Sequence, residues 1–254
     1  MQWHRLLTSC ALGVALSCTA QDITLLRTVA QSGNLPKFNT GDTYRPGYCV
    51  EMLRAIEATE ATVRFEGLDQ ALPLKRIEGL LESGRVDVFC GLALTPAREA
   101  RISFLPHVVY VTRHRLAVRA DDPLHIEKLE ELRRLPPDEP IMVNRSSLYE
   151  QVLQDVGGIP LDASVSDPAL SLRKLINHRG RAYYFSDMEL NYYIKRERLQ
   201  DKVRLLPQVF HEDRPLFAYR RDLPEATVER LRSALDRLQA DGSLQRIAAR
   251  YDAR

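Results

Sequence analysis

The sequence predicts an α/β protein folded as two lobes. Short apolar runs, which are typical of buried strands, alternate with longer segments whose apolar residues recur at helical spacing. This alternation occurs twice, once before residue 115 and again from about residue 125 to residue 200. Such an alternation is typical of a mostly parallel sheet with helices on its faces. The length of 254 residues suffices for one large domain or two smaller ones.

The first lobe is predicted to begin with three strands separated by two helices. Apolar runs predict the strands at residues 23–30, 63–65 and 86–90. Helical spacing of apolar residues predicts the helices at residues 49–59 and 72–83. A parallel sheet follows from this order, because each helix carries the chain back to the start of the next strand.

The second lobe repeats the pattern. Its helices are predicted at residues 126–134, 147–156, 169–178 and 187–198, and its strands at 115–119, 141–144 and 182–185. A further strand at residues 216–219 precedes two closing helices. The first of these carries Val228, Leu231 and Leu235 on one face, and the second begins at Ser243.

The chain is expected to cross between the lobes twice, near residues 113–119 and 208–217. Residues 21–115 and 213–254 are therefore assigned to lobe 1, and residues 116–212 to lobe 2. Ligands of open α/β sheets bind at the carboxyl ends of strands, so the site is expected in the cleft between the lobes.

Composition and motifs exclude several classes of function. Lys and Arg total 36 against 34 Asp and Glu, and a basic surplus of only two disfavours nucleic-acid binding. The sequence contains no GxSxG, GxxxxGK[ST], GxGxxG or CxxC motif. The histidines outside residues 1–20 lack paired metal-ligand spacing; they are His107, His114, His125, His178 and His211. No metal or cofactor is therefore expected.

Residues 1–20 are interpreted as a cleaved secretory signal. A short basic start precedes an apolar stretch at residues 6–16, which is too short to span a membrane, and small residues end at Ala20. Two alternatives are lipid attachment at Cys18 and a buried N-terminal helix. No other stretch is long and apolar enough to span a membrane, so a periplasmic protein is expected.

Three strand ends carry residues suited to binding a small polar ligand. The first ends at Cys90 and Gly91, and Arg98 lies one turn into a helix that Thr95 is expected to cap. The second is followed by Ser147, and the third by Asp187. Each also has a plain structural interpretation, as a helix cap or a solvated side chain.

Four ordered blocks resemble the periplasmic solute-binding proteins of the polar amino-acid type, bacterial extracellular family 3. They are residues 47–53 (GYCVEML), 74–105 (including ESGRVDVF and TPAREARISF), 141–149 and 214–251. The resemblance implies a type II fold of two α/β lobes joined by two hinge strands. It also implies a monomer that captures a solute by lobe closure and delivers it to an ABC-type permease.

The resemblance assigns roles to individual residues. Arg98 falls where the family's arginine holds a ligand α-carboxylate, Ser147 where a hydroxyl contacts the same carboxylate, and Asp187 where an acid takes the α-ammonium. The strand before Asp187 lacks the family's Gly-Arg-x-Asp spacing, which leaves the alignment there open by one residue.

Five further positions are expected to lie at the ligand, and most depart from the family pattern. Ala93 replaces a hydroxyl residue, Cys90 and Gly91 occupy cleft positions, and Leu35 stands where an aromatic often stacks on the ligand. Arg145 adds positive charge near the carboxylate end, which keeps a dicarboxylate ligand open beside an ordinary amino acid.

Cys49 and Cys90 are both placed near the cleft side of the first lobe, at a helix start and a strand end. In an oxidising compartment, a disulfide between them is expected. The alternative is two buried thiols.

Two other functions stay open. An enzyme resembling cyclohexadienyl dehydratase would need a carboxylic acid in the cleft, and Glu189 and Asp187 are the nearby candidates. The second alternative is a sensor or accessory protein, whose closed form would be recognised by a partner other than a permease.

Overall fold

The computed structural model describes residues 22–145 and 147–251. The predicted signal segment and Cys18 lie outside these residues. The α/β fold class with two lobes is confirmed. The helices are α1 (Tyr48–Thr59), α2 (Leu74–Glu82), α3 (Pro96–Glu99), α4 (Leu148–Val156), α5 (Pro168–Ile176), α6 (Asp187–Arg196), α7 (Glu225–Ala240) and α8 (Ser243–Arg250).

The strands follow the predicted positions closely, with several short additions. They are β1 (Thr24–Arg27), β2 (Ala30–Gln31), β3 (Val63–Glu66), β4 (Ala71–Leu72), β5 (Val88–Leu92), β6 (Ser103–Val108), β7 (Thr112–Arg119), β8 (Ile141–Met142), β9 (Leu161–Asp162), β10 (Ala182–Ser186), β11 (Val203–Leu205), β12 (His211–Asp213) and β13 (Leu216–Tyr219). The helix expected at residues 126–134 is a shorter 3₁₀-helix, Leu129–Arg134, which ends before Pro136.

Parallel and antiparallel pairing occur in both lobes, in separate sheets in lobe 1 and within one sheet in lobe 2, because two strands cross between the lobes. In lobe 1, β1 pairs in parallel with β3 and β2 with β4, but the returning strand β13 lies antiparallel between β5 and β6. In lobe 2, β10, β8 and β9 are parallel, while the entering strand β7 is antiparallel to β10, β11 and β12. The two crossings meet where the Val109 N–H donates to the Pro215 carbonyl at 2.9 Å.

Each lobe has its own apolar core, and Met188 connects the two. The lobe 1 core packs α1, α7 and α8 around β5 and β13. Two clusters fill the opposite faces of the lobe 2 sheet. Met188, at the start of α6, belongs to the core cluster of lobe 1 although its helix belongs to lobe 2. The lobes therefore pack against each other at this point. The boundaries at residues 115/116 and 212/213 stay predictions.

A buried carboxylate, Asp87, fixes the start of β5. It accepts hydrogen bonds from the backbone and guanidinium of Arg27 and from Arg220 at 2.7–2.8 Å. Burial raises the pKa of Asp87, but these hydrogen bonds outweigh burial and lower the pKa to about 2. The strand expected at residues 23–30 is divided into β1 and β2, and at the end of β1 the Asp87 N–H donates to the Arg27 carbonyl at 2.8 Å. Strand β5 is thereby held in the position from which its carboxyl end reaches the cleft.

Candidate functional site

A cavity of about 910 Å³ lies between the two lobes. Lobe 1 contributes the end of β5, the start of α2 and the loop after β2. Lobe 2 contributes the start of α4 and the start of α6, and the second crossing contributes Asp213, which ends β12. Among the predicted site residues, those that line this cavity are Gly91, Ala93, Arg98, Arg145 and Ser147.

Gly91 brings the backbone of β5 close to three other side chains. Its φ is +76°, a conformation that favours glycine. A Cβ there would lie 2.8 Å from Tyr110 Cε1 and from the Tyr48 hydroxyl, and 2.9 Å from Lys37 Cε. The packing therefore excludes any side chain at this position.

Arg98 is positioned by a capped helix, as predicted. Thr95 caps α3 by accepting a hydrogen bond from the Arg98 N–H at 3.3 Å, and Pro96 occupies the first helical position. The guanidinium donates from Nη2 to Glu78 at 2.8 Å and from Nη1 to the Ala93 carbonyl at 2.8 Å. A carboxylate from α2 thus already balances the charge of Arg98.

Ser147 and Arg145 line the lobe 2 wall. Ser147 caps α4, since its Oγ accepts from the Glu150 N–H at 3.2 Å and donates to the Asn144 carbonyl at 2.5 Å. The Arg145 guanidinium donates to the carbonyls of Ala163 and Ser164 at 3.1 and 2.5 Å. In these contacts Arg145 meets neutral oxygens, so its positive charge stays available to a ligand.

Three predicted site residues lie outside the lining of the main cavity. Asp187 Oδ1 accepts from the backbone N–H groups of Arg113 at 3.0 Å and Met188 at 2.8 Å. Leu35 lines a second, smaller groove of about 590 Å³ beside α5 and α6. Cys90 is fully buried behind Gly91. Roles for these three at the ligand stay predictions.

A disulfide joins Cys49 to Cys90, with their Cα atoms 5.7 Å apart. Cys49 lies in the first turn of α1 and Cys90 on β5, so the bridge connects this helix to the strand that presents Gly91. The Cys49 N–H also donates to the Lys37 carbonyl at 3.2 Å. The covalent bridge therefore holds three segments of the lobe 1 wall together.

Sequence reasoning missed Lys37, which lines the cavity and is only 2% exposed. Its Nζ donates to the Gly91 carbonyl at 2.6 Å and to Gln31 Oε1 at 2.9 Å, and lies 4.4 Å from the centre of the Phe89 ring. Burial lowers the pKa of Lys37 to about 7. In the sequence, Lys37 is a single lysine between Pro36 and Phe38, and this local pattern does not indicate a buried cation.

The carboxyl of Glu189 also lines the cavity, from the first turn of α6. From the sequence alone, Glu189 is predicted only as a candidate catalytic acid. It accepts a hydrogen bond from the Ser186 hydroxyl at 2.5 Å, and Ser186, rather than Asp187, caps the helix. Burial raises the pKa of Glu189 to about 7, although hydrogen bonds from Ser186 and Tyr149 and the charge of Lys37 oppose this.

Asp213 reaches the cavity from the second crossing, where it is bound by two histidines. His114 Nε2 lies 2.7 Å from Asp213 Oδ2, and His211 Nε2 lies 3.2 Å from Oδ1. His114 is fully buried and also contacts the Tyr184 hydroxyl at 3.1 Å. This cluster joins β7, β10 and β12 beside the hinge.

Within residues 22–145 and 147–251, no helix combines the length and apolarity required to cross a membrane. No group of three or more His, Cys, Asp or Glu side chains is arranged to hold a metal ion in the same part of the chain.

Several solved structures share this fold. A histidine kinase sensor domain with similarity to periplasmic binding proteins is 23% identical, with a TM-score of 0.69 over 91% of this chain and 96% of its own. The substrate-binding protein of an amino acid ABC transporter is 17% identical, with a TM-score of 0.67 over 90% and 99%. An ancestral amino-acid-binding protein, a precursor of cyclohexadienyl dehydratase, is 20% identical, with a TM-score of 0.69 over 89% and 95%.

At these identities the structural likeness shows a shared fold. The search of curated proteins found no match. The family model of the bacterial extracellular solute-binding proteins, family 3, matches residues 28–253. That range includes both lobes, both crossings and the residues that line the cavity. The chain belongs to the bacterial extracellular solute-binding proteins, family 3.

Proposed function

We propose that this protein captures a small carboxylate-bearing solute, an amino acid or a related compound, between its two lobes. The observation that carries the proposal is the 910 Å³ cavity, whose polar side chains come from both lobes. Arg98 is presented by lobe 1, and Ser147 and Arg145 by lobe 2. A ligand that contacts both walls binds the closed form better than the open form, and therefore shifts the hinge equilibrium towards closure.

Delivery to an ABC-type permease from the periplasm, by a monomer, is the proposed biological setting. Support comes from the family and from the similar substrate-binding protein of an amino acid ABC transporter. The proposed signal segment at residues 1–20 agrees with export. A sensor partner would recognise the same closed form, and the similar histidine kinase sensor domain keeps that alternative open.

A thermal-shift screen tests the proposal directly. The purified protein is heated with single amino acids, dicarboxylates and opines, and hits are confirmed by calorimetry. A ligand present at 100 times its Kd stabilises the folded state by about 2.7 kcal/mol, which is a measurable rise in melting temperature. If no compound in the three classes shifts the melting temperature or gives heat, the proposal is overturned.

Replacing Arg98 by alanine is expected to weaken carboxylate binding at least tenfold. A charge-assisted hydrogen bond contributes roughly 1.5–3 kcal/mol, and the variant also leaves Glu78 in the cavity without its partner. Calorimetry with the best ligand from the screen measures the effect. Arg101→Ala is the matched control, because Arg101 also faces Glu78, at 3.9 Å, but does not line the cavity. Equal affinity in the wild type and Arg98→Ala would remove Arg98 from the proposed site.

Two carboxyls are candidates for the ligand ammonium, and variants separate them. The resemblance places this role at Asp187, whereas Glu189 is the one that lines the cavity. If Asp187 acts at the ligand, Asp187→Asn weakens amino-acid binding and Glu189→Gln does not. We expect the reverse, since the Asp187 carboxylate is already held by two backbone N–H groups.

One observation also favours a second candidate function. Glu189 is a buried carboxyl in the cleft whose pKa is about 7, and such an acid is suited to donate a proton to a leaving group. An activity resembling cyclohexadienyl dehydratase is therefore the alternative. Incubation with prephenate or arogenate, followed by detection of the aromatic product, tests it. Turnover that is lost in Glu189→Gln would establish the enzyme, and no turnover would exclude these substrates.

A further inference from the structure

The charged groups of the cavity are unevenly compensated. Glu78 pairs with Arg98 at 2.8 Å, and Asp213 lies within 2.7 and 3.2 Å of two histidine nitrogens. Arg98 therefore neutralises Glu78, while Asp213 lies within hydrogen-bond distance of two imidazoles. Lys37 and Arg145, by contrast, donate to amide and carbonyl oxygens in the described residues. These contacts give neither cation a carboxylate partner, and a ligand carboxylate would supply one.

Lys37 is built into the wall with its ammonium held in place. Two of its three N–H bonds are used, one to Gln31 and one to Gly91, and the Phe89 ring lies on another side. Burial of this ammonium is costly, because it loses hydration and its hydrogen-bond partners are neutral, and the charge of Glu189 offsets the cost only in part. A ligand carboxylate in the cavity would add negative charge and accept the remaining hydrogen bond.

The ammonium of Lys37 and the guanidinium of Arg98 are anchored on the same edge of the cavity. Lys37 donates to the carbonyl of Gly91, and Arg98 to the carbonyl of Ala93. The charge of Arg98 also lowers the pKa of Lys37, so the two groups lie close enough to interact. Arg98 is paired with Glu78, yet both side chains line the cavity and keep N–H groups that a ligand with two carboxylates would occupy.

Glu189 is the cavity carboxyl that opposes this charge from lobe 2. It is held by hydroxyl groups rather than by a cation, since Ser186 donates to it at 2.5 Å. Burial raises the pKa of Glu189 and so weakens the negative charge that this carboxyl sets against Lys37, while its ionised form can still accept a hydrogen bond from a ligand ammonium. Lobe 2 then adds Arg145 as a further cation at the cavity wall.

We propose that the preferred ligand is a small dicarboxylate and that Lys37 is the residue that selects it, by contacting one carboxylate while Arg98 contacts the other. This inference rests on the proposed function and names the class of solute. A ligand with a single carboxylate and an amine leaves the Lys37 ammonium with its neutral hydrogen-bond partners, Gln31 and Gly91. Cationic amino acids add a further positive charge beside Lys37 and Arg98.

Matched probes test the selectivity on the wild-type protein. L-Glutamate and L-glutamine differ at one end, a carboxylate against an amide, and glutarate lacks the amine of glutamate. Calorimetry is expected to show that glutamate or glutarate binds at least 30-fold more tightly than glutamine, with succinate and aspartate testing a shorter spacing. L-Lysine and L-arginine are expected to bind more weakly than the dicarboxylates.

Lys37→Met tests the residue, because methionine keeps an unbranched apolar chain and removes the charge. It is expected to lower dicarboxylate affinity at least tenfold while changing glutamine affinity less than threefold. Lys202→Met makes the same substitution at an exposed position and should leave both affinities unchanged. Equal losses for dicarboxylate and glutamine in Lys37→Met would assign Lys37 a structural role and overturn its part in selection.

The outcomes separate this inference from the proposed function. If glutamine, lysine or arginine binds more tightly than every dicarboxylate, the inference is wrong and solute binding stands. If no probe of either class binds, the inference fails, and the proposed function is then decided by the wider screen of amino acids, dicarboxylates and opines. The comparison of ligands on the wild-type protein tests the dicarboxylate preference even if Lys37→Met does not fold.

Discussion

Removal of the Cys49–Cys90 disulfide is expected to lower the free energy of unfolding by about 4 kcal/mol. The bridge joins residues 41 positions apart, and closing a loop of that length removes this much conformational freedom from the unfolded chain. Both cysteines are fully buried, so the paired alanine variant also loses some packing. For a chain of this size, the corresponding fall in melting temperature is roughly 8–16 °C.

Urea unfolding of the double variant Cys49→Ala and Cys90→Ala measures the effect. Wild-type protein unfolded with and without a reductant is the matched control, because reduction removes the bridge and keeps the side chains. Free-thiol titration of denatured, unreduced protein that lacks residues 1–20 tests the bridge itself. Two reactive thiols, or an unchanged unfolding midpoint, would contradict the prediction.

The consequence of the bridge for binding follows from its position. Cys90 immediately precedes Gly91, whose carbonyl anchors Lys37, and Cys49 donates its N–H to the backbone of Lys37. The double variant is therefore expected to bind its ligand more weakly, because the lobe 1 wall is less well ordered before binding. Calorimetry at a temperature well below the melting point separates this loss from unfolding.

Glu189 is expected to make the stability of the protein fall as pH rises from about 4.5 to 7. Burial raises the pKa of this carboxyl from 4.5 to about 7 in the folded protein, so the folded state binds more protons than the unfolded state in that window. The penalty is absent below pH 4.5 and complete above pH 7. Its size is at most about 3 kcal/mol, from 1.36 kcal/mol for each pKa unit.

The isosteric variant Glu189→Gln does not titrate and measures this effect. Relative to the wild type, its free energy of unfolding should rise steadily between pH 4.5 and pH 7. Lys37, whose pKa is lowered from 10.5 to about 7 by burial, adds stability as pH rises above 7 and so acts in a separate window. Glu130→Gln, at an exposed position, is the control. A difference between Glu189→Gln and wild type that is constant with pH would refute the assignment.

Local patterns predicted most of the fold. Val228, Leu231 and Leu235 lie on the buried face of α7, as their spacing predicts. The strand expected at residues 216–219 is β13. Caps at Thr95 and Ser147 lie where the sequence placed them. These features depend on neighbouring residues, so periodicity and turn chemistry suffice to predict them. Short strands such as β9 and β12 were missed because two or three residues carry no period.

The two-lobed α/β class, the family and the strand ends that face the cleft can be predicted from local sequence patterns. Which charges meet in the cleft depends on the packing of the folded chain. Lys37 contacts Gly91 across 54 residues, and Arg98 contacts Glu78 across 20. No local pattern encodes such pairs, because they arise when the packing of β5 brings distant segments together. Burial then sets the charge of Lys37 and Glu189, and burial is a property of the folded molecule.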